Sequence, residues 1–67
     1  MAITLKAARV NAGLTQPEAA KLLGISIDSL RNYEHGKTFP TVPLIQKIER
    51  VYGLPYSEIL FLPPSTV

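Results

Sequence analysis

The 67-residue sequence contains no cysteine. That excludes disulfide staples and thiolate-held zinc as sources of stability, so the core must be hydrophobic. Charge is scarce as well, at 18% of residues beside 46% hydrophobic ones. This balance describes a packed globule rather than a disordered tail. No apolar run approaches the ~20 residues of a membrane span. The N-terminus Met1-Ala2-Ile3-Thr4-Leu5-Lys6 lacks the charged-then-apolar pattern of an export signal, so a cytoplasmic protein with no membrane partner is expected.

Sustained two-residue alternation is also missing, and strands are not expected. No nucleophile–base pair, metal-ligand cluster or phosphate-cradling glycine loop is present, which argues against an enzyme. The single histidine, His35, has no ligand-type companions at metal spacing. No metal, cofactor or small-molecule effector is expected.

What is present fits one domain spanning residues 1–67, small enough that its core must be economical and open to help from dimerisation. The net charge of +2 permits a polyanionic partner without requiring one. Apolar spacing is helical almost throughout, broken by glycine and proline. A first helix is predicted from Thr4 to about Ala12, with Leu5, Ala8 and Val10 supplying its buried side and Gly13 ending it. The second opens at Thr15-Gln16-Pro17-Glu18, where Thr15 caps and Glu18 completes a capping box, and it stops at Gly24. Ser26 caps a third, Ile27 to Glu34. Thr41 caps a fourth, Val42 to Tyr52, with Val42, Ile45, Ile48 and Tyr52 on one face. Tyr56 to Phe61 reads as a fifth, short helix after Pro55, and Pro63-Pro64 forbids its continuation.

The informative stretch is residues 15–36. Two helices joined by only Gly24-Ile25-Ser26 must cross steeply. Ala20 supplies a small side chain at the crossing, Gly24 accepts a positive φ, and Leu23, Ile25 and Leu30 fill the wedge. At about 100° per residue, Ser29, Leu30 and Tyr33 share the inward side of the third helix. Ile27, Asp28, Arg31 and Asn32 cluster opposite. This mixture of aliphatic carbon, carboxylate, guanidinium and amide is what major-groove recognition uses.

The spacing of Gly13-Leu14-Thr15-Gln16, Ala20, Leu23-Gly24-Ile25-Ser26, Leu30, Tyr33-Glu34-His35-Gly36-Lys37, Pro40-Thr41, Ile48 and Tyr52-Gly53-Leu54 resembles the phage repressor and Cro type of helix-turn-helix, the XRE-like family. The match covers about residues 4–61, leaving 62–67 as a short apolar and proline tail. The resemblance implies an all-α, lambda-repressor-like fold of five short helices that binds double-stranded DNA and regulates transcription. It implies base contacts from Ile27, Asp28, Arg31 and Asn32. It implies phosphate contacts from Gln16, Ser26, Lys37 and Thr38, and a structural ion pair between Arg9 and Glu34. Asp28 is open to three readings: it selects cytosine, excludes wrong sites, or pairs with Arg31. Pro55 departs from the serine or threonine common in the family at the start of the last helix, and His35 from asparagine or arginine.

The apolar tail, with Phe39, Phe61 and Leu62 as contacts, suggests a twofold homodimer on a palindromic operator. The leading expectation is a Cro-like or repressor-like regulator, its chain ending just after the DNA-binding unit. A piece of a larger repressor would read the same way. The competing reading is a protein-interaction module, such as an antitoxin or anti-repressor, working through the tail.

Overall fold

Thr4 adopts an extended backbone and its hydroxyl accepts the Ala7 N–H at 3.1 Å, which starts helix α1, Leu5–Asn11. This computed structural model describes residues 2–61. The Thr15 capping box forms with both reciprocal bonds and opens α2, Gln16–Leu23. Gly24 ends α2 at φ 73°, a left-handed conformation that costs a side-chain-bearing residue free energy. Ser26 then accepts the Ser29 N–H at 3.0 Å and starts α3, Ile27–Glu34. The longest helix, α4, runs Val42–Tyr52 and ends at Gly53.

Among the described residues nine buried side chains form one apolar core: Leu5, Ala8, Ala19, Ala20, Leu23, Leu30, Ile48, Tyr52 and Ile59. Every helix contributes to it, so α2 and α3 are held at a fixed crossing by α1 and α4 behind them. Fully burying a leucine contributes ~1.5–3 kcal/mol, and Leu23 and Leu30, at 2% and 0% exposure, sit in the wedge between α2 and α3. Ala20 is buried at the crossing, as its spacing predicts, and Ile25 packs partly buried beside it.

Four expectations are corrected. The all-α plan holds, with four α-helices among the described residues rather than five. The fifth segment is a single 3-10 turn, Tyr56–Glu58, after which Ile59 turns extended. Pro55 offers no capping side chain there. Instead Glu49 Oε2, from α4, accepts the Tyr56 N–H at 2.6 Å.

Second, strands do occur: β1, Ile3–Thr4, pairs in parallel with β2, Ile59–Leu60, in the register Ile3 with Ile59 and Thr4 with Leu60. Two residues are too few to show alternation, and the pairing satisfies backbone groups beside a buried isoleucine.

Third, Val10 and Val42 are exposed, at 59% and 67%. The inward side of α1 is Leu5, Ala8 and Arg9, and Val10 lies about 100° round from Arg9. Val42 is the first residue of α4 and lies at the edge of its apolar stripe. Finally, Thr41 holds the cap position of α4 without a side-chain cap bond.

Candidate nucleic-acid interface

The joint between α2 and α3 is fixed from both sides. Ile25 N–H donates to Ala20 O at 3.0 Å across the turn. Lys47 Nζ, from α4, donates to Leu23 O at 3.5 Å, placing a cation at the C-terminal end of α2 where the helix dipole favours it. A Cβ built on Gly24 would meet that Nζ at 3.5 Å, an ordinary contact, so the positive φ and not space requires glycine.

On α3 the two sides separate as the spacing predicts except at Asn32, which is partly buried like Ser29 and Tyr33. Leu30 is fully buried, Ser29 and Tyr33 are partly buried, and Ile27, Asp28 and Arg31 are exposed. Asn32 is half-buried at the border. Ile27 leaves 39% of its surface in solvent at the start of the helix. Asp28 Oδ1 stands 3.5 Å from Arg31 Nη1, so the carboxylate has a cation beside it on the same face. Exposed pairs of this kind contribute little to stability. Their effect lies in where each charge is held.

The ends of the helices place the remaining residues of interest. Ser26 spends its hydroxyl on Ser29, accepting from its N–H and donating to its Oγ at 3.0 Å. Past α3, Lys37 N–H donates to Asn32 O at 2.9 Å, which shapes the turn, and the Lys37 and Thr38 side chains are exposed. His35 is the exposed C-cap of α3. Among the described residues no group of three or more His, Cys, Asp or Glu is arranged to hold a metal ion.

Behind this face lies a buried polar cluster. Arg9 Nε donates to Glu34 Oε2 at 2.6 Å, with side chains 8% and 1% exposed. Arg9 Nη2 reaches Glu34 Oε1 at 3.5 Å, and Arg9 Nη1 donates to Leu14 O at 2.9 Å. One guanidinium therefore ties α1 to the α1–α2 turn and to the end of α3. Glu34 Oε1 also accepts from Gln16 Nε2 at 3.1 Å. That last bond was not legible from spacing, because Gln16 and Glu34 are neighbours only once α2 and α3 cross. Tyr52 Oη is buried nearby and, among the described residues, has no hydrogen-bond partner. Its phenol pKa is pushed up to about 12, chiefly by burial and in the same direction by Glu34, while Arg9 opposes.

Phe39 and Phe61 face each other within the chain, ring centroids 5.5 Å apart, and Phe61 stacks on Tyr56 at 5.4 Å. Phe39 nonetheless stays 49% exposed. It forms one wall of an apolar groove of about 460 Å³ with Pro40, Thr41, Val42, Ile45 and Tyr56. Leu62, the third expected dimer contact, lies outside the described residues.

A helix-turn-helix family profile matches residues 5–59, nearly the whole folded unit. The chain is 36% identical over 55 residues to the HTH-type transcriptional regulator PuuR of Escherichia coli (strain K12), and equally to that of Shigella flexneri. The alignment takes in 82% of this chain and 30% of each relative, so the chain spans less than a third of their length. No solved structure matches the chain significantly. With two capped helices crossing at Gly24 and a profile match from α1 to β2, the chain belongs to the XRE-type helix-turn-helix family, a DNA-binding and non-enzymatic family.

Proposed function

We propose that the chain binds duplex DNA sequence-specifically as a homodimer, in the manner of a Cro-like or repressor-like regulator working in the cytoplasm. The observation that carries this reading is the division of α3. Its inner side is anchored in the core by fully buried Leu30, with Ser29 and Tyr33 partly buried, while Ile27, Asp28 and Arg31, with Asn32 at the border, form a mixed polar and aliphatic outer face. Major-groove base edges ask for such a mixture. An amide suits adenine, a guanidinium guanine, a carboxylate the cytosine amino group, and aliphatic carbon the thymine methyl. Gln16, Ser26 through its backbone N–H, Lys37 and Thr38, at the ends of α2 and α3, are the phosphate contacts that set the register of α3. The Asp28–Arg31 pair supports a role for Asp28 in holding Arg31 on this face and in tempering its attraction to every phosphate alike.

Dimerisation rests on the groove bounded by Phe39 and Tyr56. Phe39, Val42 and Tyr56 line this groove and are exposed, an apolar surface that a second copy of the chain would cover. A twofold pair would set two α3 helices about 34 Å apart, one turn of DNA, on a palindromic operator. The same groove is the observation that favours a second reading, in which it holds another protein in the manner of an antitoxin or anti-repressor.

Selection of duplexes from a random pool tests both readings. A palindromic consensus, with affinity falling steeply as salt rises, is the outcome expected for dimeric operator binding. No enrichment, together with a monomer by light scattering at all concentrations, would exclude it.

A further inference from the structure

Gln16 is half-buried, and among the described residues its amide makes one hydrogen bond, from Nε2 to Glu34 Oε1 at 3.1 Å. An ionised carboxylate only accepts, so it takes the nitrogen end of the amide and turns the carbonyl end away. The amide nitrogen carries two hydrogens. Glu34 uses one, and the second remains a donor, which is the property that a phosphate oxygen requires.

The arrangement has an electrostatic requirement. A phosphate oxygen bonded to the same nitrogen would stand about 5 Å from Glu34 Oε1, two hydrogen-bond lengths across one atom. At that range a bare carboxylate repels the phosphate strongly. Arg9 removes the repulsion: its Nε lies 2.6 Å from Oε2 and its Nη2 3.5 Å from Oε1.

We propose that Glu34 is a positioning residue for DNA binding, which holds the Gln16 amide with an N–H directed to a DNA phosphate while Arg9 neutralises the carboxylate behind it. The inference rests on the reading of Gln16 as a phosphate contact. It assigns the buried pair a second task beside fastening α3 to α1. It also explains why a polar pair serves at a place where apolar residues of similar volume could fill the core.

The probe is a duplex selected by the wild-type protein from a random pool, rebuilt with one neutral methylphosphonate at each phosphate in turn. Wild type is expected to lose about tenfold in affinity at one phosphate to which Gln16→Ala is insensitive. In an Arg9→Met/Glu34→Leu double variant, which keeps this part of the core uncharged, sensitivity at that phosphate falls below about twofold. Sensitivity at phosphates met by Lys37 is retained.

Full sensitivity in the double variant overturns the positioning role and leaves the Gln16 contact standing. The absence of any Gln16-dependent phosphate in wild type overturns the underlying reading, and the proposal with it. Circular dichroism checks folding. Should the double variant be unfolded, Glu34→Asp makes the same comparison, because it keeps the charge beside Arg9 and draws the carboxylate away from Gln16.

Discussion

Arg9 Nε lies 2.6 Å from Glu34 Oε2, although 25 positions separate the two residues in the chain. Both side chains are almost completely buried, and the guanidinium also holds the Leu14 carbonyl. In a protein without disulfides this cluster fixes the end of α3 relative to α1 more rigidly than apolar contact alone, because hydrogen bonds have direction.

Removal of one partner should therefore be severe. Arg9→Ala leaves the Glu34 carboxylate buried without its cation, and a loss of about 3–5 kcal/mol is expected in urea or thermal unfolding. In a domain of this size such a loss is a large share of the total stability. An unchanged melting temperature would refute a structural role for the pair. Replacing both partners with apolar residues should recover most of the loss, since no charge is then stranded.

Base reading and phosphate binding separate in the salt dependence. Asn32→Ala should cost about 1–3 kcal/mol at one base pair of a selected operator and leave preferences elsewhere intact. Lys37→Ala should weaken binding to every sequence alike and reduce the slope of log affinity against log salt by about one. Titrations at three or more salt concentrations on matched and mismatched duplexes distinguish the two. Equal effects of Asn32→Ala on all sequences would remove it from the base-reading face.

Tyr52 makes stability sensitive to alkaline pH. Its phenol is pushed up to about 12 in the folded state, chiefly by burial, and ionises near 10 in the unfolded chain. The neutral hydroxyl is the form the fold prefers. Its contribution is complete below pH 10 and is lost as pH rises towards 12, because the unfolded chain releases the proton first. Tyr52→Phe should flatten this part of the stability profile relative to wild type. At neutral pH the variant should be as stable as wild type or slightly more so, because Tyr52 Oη is buried and has no partner to lose among the described residues. A loss above about 2 kcal/mol at pH 7 would show that the hydroxyl is satisfied in solution.

Glu49 stands in for the cap that Pro55 cannot supply. Glu49→Ala removes the acceptor of the Tyr56 N–H, and a loss of about 1 kcal/mol is expected. The effect should be local first. Hydrogen exchange should quicken in the backbone pairing of Ile3 and Thr4 with Ile59 and Leu60 before it changes in α2 or α3. Uniform acceleration across all helices would place Glu49 in the main cooperative unit instead.

Sequence and structure agree most closely where the determining interactions are local. Thr15 with Glu18, Ser26 before Ile27 and glycine at the left-handed end of α2 act within four residues, so composition and spacing sufficed to place α2, the turn and α3. The same locality failed beyond Pro55. There the missing cap came from Glu49, seven residues back, and Ile59 found its backbone partner in Ile3 at the other end of the chain. A two-residue strand carries no period, and a helix pattern read through Tyr56–Phe61 had nothing to oppose it.

The helix-turn-helix around Gly24 and the polar face of α3 were thus determined by the sequence itself, because capping chemistry, positive φ and helical angle are properties of short segments. Tertiary structure decided what stands behind that face. It set Arg9 beside Leu5 and Ala8 on the inward side of α1, and it turned Val10, which was expected there, to solvent. It brought Gln16 of α2 to Glu34 of α3, and it folded Phe61 against Phe39 and Tyr56 beside an open apolar groove. Each of these depends on where separate elements cross. Crossing is fixed by the packing of the whole core, which no local pattern records.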